Sequence, residues 1–466
     1  MDIIFALATS NSRSALHLHR LSGNGVLKIL GPYLFSAGGK KNLDLPSHSE
    51  KPLTRYAIIK NKNNEIIDDV VFTYFANPRS FTGEDVVEIS THGNPTLSLQ
   101  LHSFLRNIGF RDAKPGEFTQ RAMLHGKLDL AQAEGINQLI HAESLGGIEL
   151  ARNNVDGILS QETKGIRNQI IELLAYLEAH IDFAPDEVGN YEPKQLLPKI
   201  TEIKNKLNSL YQSYENGLKI REGLKIILCG KPNSGKSSLY NGFLKQDRAI
   251  VTNIPGTTRD VLEDKLYLDN KEFVLLDTAG IRNTTDEVEK IGVERTLSNV
   301  KQADIICYLI SSPNLSANNY NQEIENEIRE FKEQAQVQSS QKIIVVVTKK
   351  DLLPTELQKA FSTKNILISQ NDYANLKENL LNLHHELLDK TDLKKSPMII
   401  SQRQKDKVSA ALQFIEESEQ LISIADYPEK IASLLNGART SLEEIVGEIS
   451  VDNVFEKIFS TFCIGK

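Results

Sequence analysis

Apolar and polar side chains alternate in short runs over the first 120 residues, and turn-forming residues separate these runs. Such alternation is typical of half-buried strands. One stretch differs, because Leu97, Leu101 and Leu105 recur at helical spacing within Thr96–Asn107. We expect one helix there, and strands at Ile3–Ala8, Ala15–Leu21, Tyr56–Lys60, Ile66–Tyr74 and Val86–Ser90. Residues 1–120 are therefore predicted to form a small α+β domain.

Two later stretches have the periodicity of amphipathic helices, which bury one apolar face. The first covers residues 121–221 and is broken at Asp182–Pro193. The second covers residues 386–466 and includes long helical patterns at Ser401–Ile424 and Pro428–Ile449. The first stretch is predicted to form long helices on either side of this break, and the second to form helices followed by a short tail at residues 462–466.

Residues 222–385 lie between these helical stretches and alternate strand-like runs with helical patterns. Such alternation predicts a mostly parallel sheet covered by helices on both faces. The predicted strands are Leu224–Cys229, Leu262–Leu268, Phe273–Leu276, Ile305–Ile310, Ile343–Val347 and Ile366–Ser369. The predicted fold is thus an α/β domain inserted into an all-α helical domain, with the small α+β domain in front.

Composition narrows the class of protein only moderately. The chain has 466 residues, 40% hydrophobic and 25% charged, which is ordinary for a globular protein of about three domains. A net charge of −7 excludes a whole-chain basic signature of nucleic-acid binding. Three widely spaced cysteines suit a reducing compartment, and Met1–Ala8 is read as a first strand rather than a signal peptide. We expect a cytoplasmic protein without a membrane span.

Residues 230–237 read Gly-Lys-Pro-Asn-Ser-Gly-Lys-Ser and match the P-loop pattern G-x-x-x-x-G-K-S. Glycine lets the backbone wrap closely around phosphate with its N–H groups pointing inward. Lys236 is expected to reach the β- and γ-phosphates, and the Ser237 hydroxyl to hold Mg²⁺. Because an apolar strand precedes the loop and a helical pattern follows it, the inserted domain is predicted to bind a nucleotide.

Two further motifs have the form of nucleotide switches. Gly-Thr-Thr-Arg-Asp at residues 256–260 is a candidate first switch, in which Thr258 would complete the Mg²⁺ shell. Asp-Thr-Ala-Gly at residues 277–280 follows a predicted strand. Asp277 would meet Mg²⁺ through water, and the Gly280 N–H would contact the γ-phosphate.

A base-reading motif, Thr-Lys-Lys-Asp, occupies residues 348–351. The Asp351 carboxylate can accept two hydrogen bonds from guanine, which adenine cannot supply, so GTP is favoured over ATP. Such motifs usually begin with Asn, and Thr348 lacks the second valence of the amide. Residues 369–371, Ser-Gln-Asn, stand where a supporting loop belongs. An ATP-driven machine remains a disfavoured alternative.

Two residues are candidates for assisting hydrolysis. The side-chain oxygen of Asn233 can hold a monovalent cation, or it can simply cap the loop. Glu289 follows the second switch motif and can orient the attacking water, although on the sequence alone a charge on a helix surface is the better explanation.

Four stretches, one of which includes the second switch motif, together point to a known family. The first reads Phe-Thr-Gly-Glu-Asp-Val-Val-Glu at residues 81–88 and is followed by His92-Gly93. The second runs from Pro-Gly-Glu-Phe-Thr to Gly-Lys-Leu-Asp-Leu-Ala-Gln-Ala-Glu over residues 115–134. The third runs from Asp-Thr-Ala-Gly-Ile-Arg to Glu-Arg over residues 277–295, and the fourth is Cys-Ile-Gly-Lys at residues 463–466. With them the chain resembles the MnmE (TrmE) family of bacterial and organellar tRNA-modification GTPases along essentially its whole length.

The resemblance implies domains at 1–120, 121–221 with 386–466, and 222–385. The first would bind a tetrahydrofolate derivative, such as the 5-formyl or methylene form, and form a homodimer. A FAD-dependent partner of the MnmG (GidA) type would join in a heterotetramer. Together they would place an aminomethyl or carboxymethylaminomethyl group on C5 of the wobble uridine of certain tRNAs.

The resemblance also assigns residues. A potassium ion would be bound by Asn233, Thr252, Ile254 and Thr257, and Glu289 would orient water when two GTPase domains meet. Folate contacts would be Arg20, Glu88, Lys127 and Lys466, and catalysis would need Cys463 and Lys236. The expected nucleotide and ion contacts are Asn233, Ser234, Gly235, Lys236, Ser237, Ser238, Thr252, Asn253, Ile254, Pro255, Gly256, Thr257, Thr258, Asp277, Thr278, Ala279, Gly280, Thr348, Lys349, Lys350 and Asp351.

The chain departs from the family pattern at its first turn, where residues 9–15 read Thr-Ser-Asn-Ser-Arg-Ser-Ala in place of a Pro-Pro-Gly and paired glycines. His92-Gly93-Asn94 likewise stands in place of a double glycine. A different class of function stays open as an alternative, namely a switch-only GTPase in ribosome assembly or RNA chaperoning. The N-terminal signature and the Cys463–Lys466 tail favour the modifying enzyme.

Overall fold

The fold is that of a computed structural model, which describes residues 2–38, 40–43, 51–142, 144–246, 264–269, 271–276, 299–314, 319–353, 358, 366–368, 373–388, 396–424, 427–448, 458–463 and 465. The chain divides into two compact units. The first comprises residues 1–140, 152–211 and 401–466, and the second comprises residues 141–151 and 212–400.

A seven-stranded sheet forms the N-terminal part of the first unit. Its strand order is β3-β4-β5-β6-β2-β1-β7, and the neighbours are antiparallel except β1 and β7. The five predicted strands all occur, and two short ones join them. The strands are β1 (Ile4–Leu7), β2 (Leu16–Ser22), β3 (Leu34–Phe35), β4 (Leu53–Lys60), β5 (Ile66–Phe75), β6 (Val86–His92) and β7 (Arg111–Asp112).

One face of this sheet is buried beneath α1 (Val26–Leu30) and α2 (Pro95–Asn107). Helix α2 begins at Pro95, one residue before the predicted start, and the Asn94 side chain caps it by accepting a hydrogen bond from the Thr96 N–H at 2.9 Å. Apolar side chains at alternate strand positions meet Leu101 of α2 in a common core; among them are Phe5, Leu21, Phe72 and Ile89.

The opposite face of the sheet is partly open. Tyr56 pairs in register with Val71, Val71 with Ser90, and Ser90 with Leu18, so the four side chains form one row across four strands. Tyr56 and Val71 are exposed at 50% and 45%, which leaves an apolar surface on this face.

The next segment is helical, as predicted. Helix α6 ends at Asp182, within the predicted break, and α8 starts after Pro193. The helices are α3 (Glu117–Leu124), α4 (Leu130–His141), α5 (Leu145–Val155), α6 (Ile158–Asp182), α7 (Pro185–Val188) and α8 (Leu197–Glu222).

The second unit contains a six-stranded sheet in the order β13-β12-β11-β8-β10-β9, parallel except between β9 and β10. Buried clusters cover both faces, as the sequence predicts. Its elements are β8 (Leu224–Cys229), α9 (Lys236–Gln246), β9 (Asp264–Leu268), β10 (Lys271–Leu276), β11 (Ile305–Ser311), α10 (Tyr320–Ala335), β12 (Lys342–Thr348), β13 (Ile366–Leu367) and α11 (Ala374–Leu388).

Two long helices, α12 (Gln402–Ser423) and α13 (Pro428–Val446), belong again to the first unit, where they pack against each other and α13 packs against α6. Arg403 at the start of α12 donates to both carboxylate oxygens of Glu134 on α4 at 2.8 Å and to the carbonyls of Glu444 and Ile445. This ion pair fixes the late helices to the early one. The predicted fold class, an α/β unit inserted between helical segments after an α+β domain, is confirmed. No helix within the described ranges is long and apolar enough to cross a membrane.

Candidate nucleotide and N-terminal sites

The P-loop connects β8 to α9 at the carboxyl end of the sheet. Gly230 has φ 137°, and a Cβ there would lie 2.3 Å from the Leu309 carbonyl oxygen. Gly235 has φ 97°, and its Cβ would lie 3.3 Å from Thr348 Cγ2. Both positions therefore need glycine, which explains the spacing of the motif. Asn233 between them also has a left-handed backbone, with φ 60°.

Lys236 is held over this loop. Its ammonium donates to the carbonyl oxygens of Gly230 at 2.7 Å and Lys231 at 2.9 Å. Burial lowers the pKa of the Lys236 ammonium. A partly desolvated cation at the N-terminus of α9 suits an anionic phosphate, since the free N–H groups of the helix point the same way.

The base-reading motif lies directly against the P-loop. The Thr348 hydroxyl donates to the Ser234 carbonyl oxygen at 2.8 Å, and the Lys349 ammonium donates to the Asn233 carbonyl oxygen at 3.2 Å. The exposed Asp351 lies in a short helical turn, Lys350–Leu352. The structure thus brings together the predicted phosphate and base contacts that it describes.

Other predicted contacts lie outside the described residues, and they stay predictions. They are Thr252, Asn253, Ile254, Pro255, Gly256, Thr257, Thr258, Asp277, Thr278, Ala279, Gly280, Glu289, residues 369–371 and Lys466.

The donor set for Mg²⁺ is sparse on the described part of the chain. No group of three or more His, Cys, Asp or Glu side chains there can hold a metal ion. Ser237 lies in the first turn of α9, beside Lys236. One hydroxyl fits Mg²⁺, which keeps several waters and binds substrate phosphates instead of an all-protein cage.

The second site lies in the N-terminal sheet. Arg20 on β2 and Glu88 on β6 are paired in register, and the guanidinium donates twice to Glu88 Oε1 at 2.8 and 2.9 Å. The guanidinium lies 5.7 Å from the ring centre of Phe81 and 5.9 Å from that of Phe118. The guanidinium also donates to the Gly465 carbonyl oxygen at 3.2 Å, so the C-terminal tail contacts the N-terminal sheet here.

Lys127 borders the same segment. A Cβ on Gly83 would lie 3.6 Å from Lys127 Cε and 2.9 Å from His125 Cβ, so all three residues lie close together two positions after Phe81. His125 was not among the residues predicted from the sequence. Its Nδ1 lies 2.8 Å from the Thr82 carbonyl oxygen and therefore carries the proton, which leaves Nε2 as an acceptor. The only sequence signal is its place two residues before Lys127.

The C-terminal tail is anchored by aromatic side chains. Phe459 and Phe462 pack against each other, with ring centres 5.1 Å apart, and against Ala133 of α4. Cys463 follows them and is exposed. A Cβ on Gly465 would lie 2.8 Å from the Leu7 carbonyl oxygen, so Gly465 lies close to the end of β1.

A buried ion network supports the Phe81–Asp85 segment. Arg121 donates to both oxygens of Glu84 at 3.0 and 3.2 Å and to Glu117 at 3.0 Å. Burial by itself raises the pKa of Glu117, but hydrogen bonds from Arg111 and Lys114 bring it below its ordinary value. Glu84, Glu117 and Arg121 belong to the family signatures noted in the sequence, but their ion pairs were not predicted from it.

The unusual first turn is held by specific contacts. His17 Nε2 lies 2.8 Å from the Ser12 carbonyl oxygen, and the Ser14 N–H donates to the Gly93 carbonyl oxygen at 3.0 Å. A Cβ on Gly93 would lie 2.2 Å from the Ser14 carbonyl oxygen. The single glycine of the His-Gly-Asn segment is therefore required by the close approach of this turn.

Comparisons with known proteins cover both units. A family model described as MnmE helical domain matches residues 130–463, and one described as GTP-binding protein TrmE N-terminus matches residues 3–127. The tRNA modification GTPase MnmE of Aquifex aeolicus is 37% identical over 468 residues, covering 99% of each chain. That of Alkaliphilus metalliredigens is 33% identical, covering 100% of this chain and 99% of its own.

Solved structures match over smaller parts of the chain. Aquifex aeolicus Era bound to GDP and AlF4⁻ is 21% identical and covers 41% of this chain and 66% of its own, with a TM-score of 0.24. The G domain of the T. maritima FeoB iron transporter is 24% identical and covers 36% and 97%, with a TM-score of 0.21.

Proposed function

The chain belongs to the MnmE family of tRNA modification GTPases and is a GTP hydrolase acting in tRNA modification, and we propose which group it adds to the tRNA and which cofactor and partner it uses. A tetrahydrofolate derivative supplies a one-carbon unit for an aminomethyl or carboxymethylaminomethyl group at C5 of the wobble uridine. A FAD-dependent partner of the MnmG (GidA) type takes part, in the cytoplasm.

The observation that carries this proposal is the site around Arg20. Folate combines a flat heteroaromatic ring with carboxylates, and the site offers Arg20 beside the Phe81 ring and Lys127 beside Gly83. Aromatic faces bind flat rings, and guanidinium binds carboxylate. The Gly465 carbonyl on Arg20 adds the tail that carries Cys463 and Lys466. A switch-only GTPase would need no such site.

The open face of the N-terminal sheet supports a homodimer. Tyr56 and Val71 form an exposed apolar row. The next row along this face contains Thr73, Glu88 and Arg20 in register. A second copy covering the apolar row would bury it and lie beside the Arg20–Glu88 pair.

Hydrolysis is proposed to need Mg²⁺ at Ser237 and K⁺ at Asn233 when two GTPase units meet. The left-handed backbone at Asn233 projects this residue from the P-loop, where its side chain is exposed. A cation there would supply positive charge to the transition state. We expect hydrolysis to be much faster in potassium than in sodium at equal ionic strength, and equal rates would refute the K⁺ role.

Mass analysis of tRNA nucleosides tests the whole proposal. Cells without this gene should lack the C5-modified wobble uridine, the wild-type chain should restore it, and Cys463→Ser should not. Unchanged nucleosides together with a ribosome-assembly defect would establish the switch-only alternative instead.

A further inference from the structure

We propose that Thr348 serves as a strap on the P-loop and does not read the base, so that the chain binds guanine nucleotides without contacting N7 through this residue. Thr348 ends β12 and is 4% exposed. Its hydroxyl donates to the Ser234 carbonyl oxygen at 2.8 Å. Its Cγ2 lies 3.3 Å from the Cβ position of Gly235, which fixes the side chain against the loop.

The Thr348 side chain has too few hydrogen-bond donors to hold the P-loop and contact guanine N7 at the same time. A threonine hydroxyl has one proton to donate, and here the hydroxyl faces two main-chain carbonyl oxygens, that of Ser234 at 2.8 Å and that of Ile310 at 3.4 Å. Guanine N7 is an acceptor and can be read only by a donor. An asparagine amide has two N–H donors and can serve a loop carbonyl and N7 together, whereas Thr348 serves only the first.

The neighbouring side chains divide the remaining work. The Lys349 ammonium donates to the Asn233 carbonyl oxygen at 3.2 Å, so it also ties the base motif to the P-loop. Asp351 is exposed, and its carboxylate can accept from N1–H and the 2-amino group on the opposite edge of guanine. Guanine is then selected through its N1–H and 2-amino groups alone. Nucleotides of 7-deazaguanine, which keep both groups and lack N7, should therefore bind with the same affinity as guanine nucleotides.

Calorimetric titration of the full chain with GDP and with 7-deaza-GDP tests this inference without requiring any tRNA reaction. The wild-type chain is expected to bind the two with a dissociation-constant ratio near one. Inosine diphosphate, which lacks the 2-amino group, should bind more weakly and shows that the assay detects a lost contact. A wild-type chain that binds 7-deaza-GDP several-fold more weakly than GDP would overturn the proposal.

Substitutions at Thr348 separate the strap from base reading. Thr348→Asn adds the missing donor and should create a preference for GDP over 7-deaza-GDP of about twofold to tenfold, the value of one neutral hydrogen bond. If this variant folds and binds GDP with a ratio of one, the donor count is wrong.

Two further variants are matched controls. Thr348→Ser keeps the hydroxyl and should keep wild-type affinities. Thr348→Val removes the strap and should weaken both nucleotides equally. An unequal loss would mean that the hydroxyl does reach N7 and would also overturn the proposal.

Discussion

His19 is a titratable residue enclosed in an apolar core. It is fully buried, its Nδ1 lies 3.0 Å from His102 Nε2, and its Nε2 lies 3.2 Å from the Thr91 hydroxyl. Burial, followed by the charges of His102 and His17, lowers the pKa of His19 to about 3. The native state therefore keeps this imidazole neutral where an unfolded chain would protonate it.

The sign of the pH dependence follows from this difference. Below the unfolded pKa of about 6.5, only the unfolded chain takes up the proton, so stability falls progressively towards pH 3. At pH 5 the loss is about 2 kcal/mol. Replacing His19 with Leu should reduce the drop in unfolding free energy between pH 7 and pH 5 by that amount, measured by denaturant titration. Equal drops in both chains would contradict the assignment.

The Lys236 ammonium is expected to be essential for nucleotide binding or turnover. Lys236→Ala should abolish GDP binding or lower GTP turnover by about two orders of magnitude or more, because the ammonium opposes the developing phosphate charge. Lys231 provides a matched control, since it lies in the same loop but pairs with Glu327 at 2.9 Å. Lys231→Ala should keep turnover near wild type. A rate unaffected by Lys236→Ala would remove the P-loop assignment.

Among the elements, periodicity was sufficient for most strands and helices but not for the contacts between them. Period two located the central strands, and the helical spacing of Leu97, Leu101 and Leu105 located the start of α2 within one residue. The two-residue strands β3 and β7 are too short to show a period. The P-loop and base motif were identifiable because their chemistry is local. The contact of Arg20 with Gly465 was not, because it joins residues far apart in sequence.

Gly93 and Gly165 should respond in opposite ways to replacement by alanine, because only Gly93 is crowded. Gly93→Ala should destabilise the N-terminal sheet by several kcal/mol, because its Cβ would lie 2.2 Å from backbone of the first turn. Gly165 lies inside α6 with nothing within 4 Å of its Cβ position. Gly165→Ala should instead raise stability by about 0.5–1 kcal/mol. Denaturant midpoints of the two variants measure this contrast, and a harmless Gly93→Ala would show that the turn can move away.

The C-terminal tail meets the N-terminal sheet at Arg20, whereas the nucleotide contacts belong to the other compact unit. This separation predicts that tail anchoring and nucleotide binding can be uncoupled. Phe462→Ala removes a ring that packs with Phe459 and Ala133, so the tail should detach. We expect faster carboxypeptidase release of the tail and loss of the modified wobble uridine, with GDP affinity unchanged.

Thr461→Ala is the control for this variant, because Thr461 is exposed and its hydroxyl donates only locally, to the Ile458 carbonyl oxygen at 2.7 Å. It should retain both the protected tail and the tRNA modification. If Phe462→Ala releases the tail and the modified uridine persists, Cys463 does not act from this position. If GDP affinity falls as well, tail anchoring and nucleotide binding are energetically linked, and the prediction that they can be uncoupled is wrong.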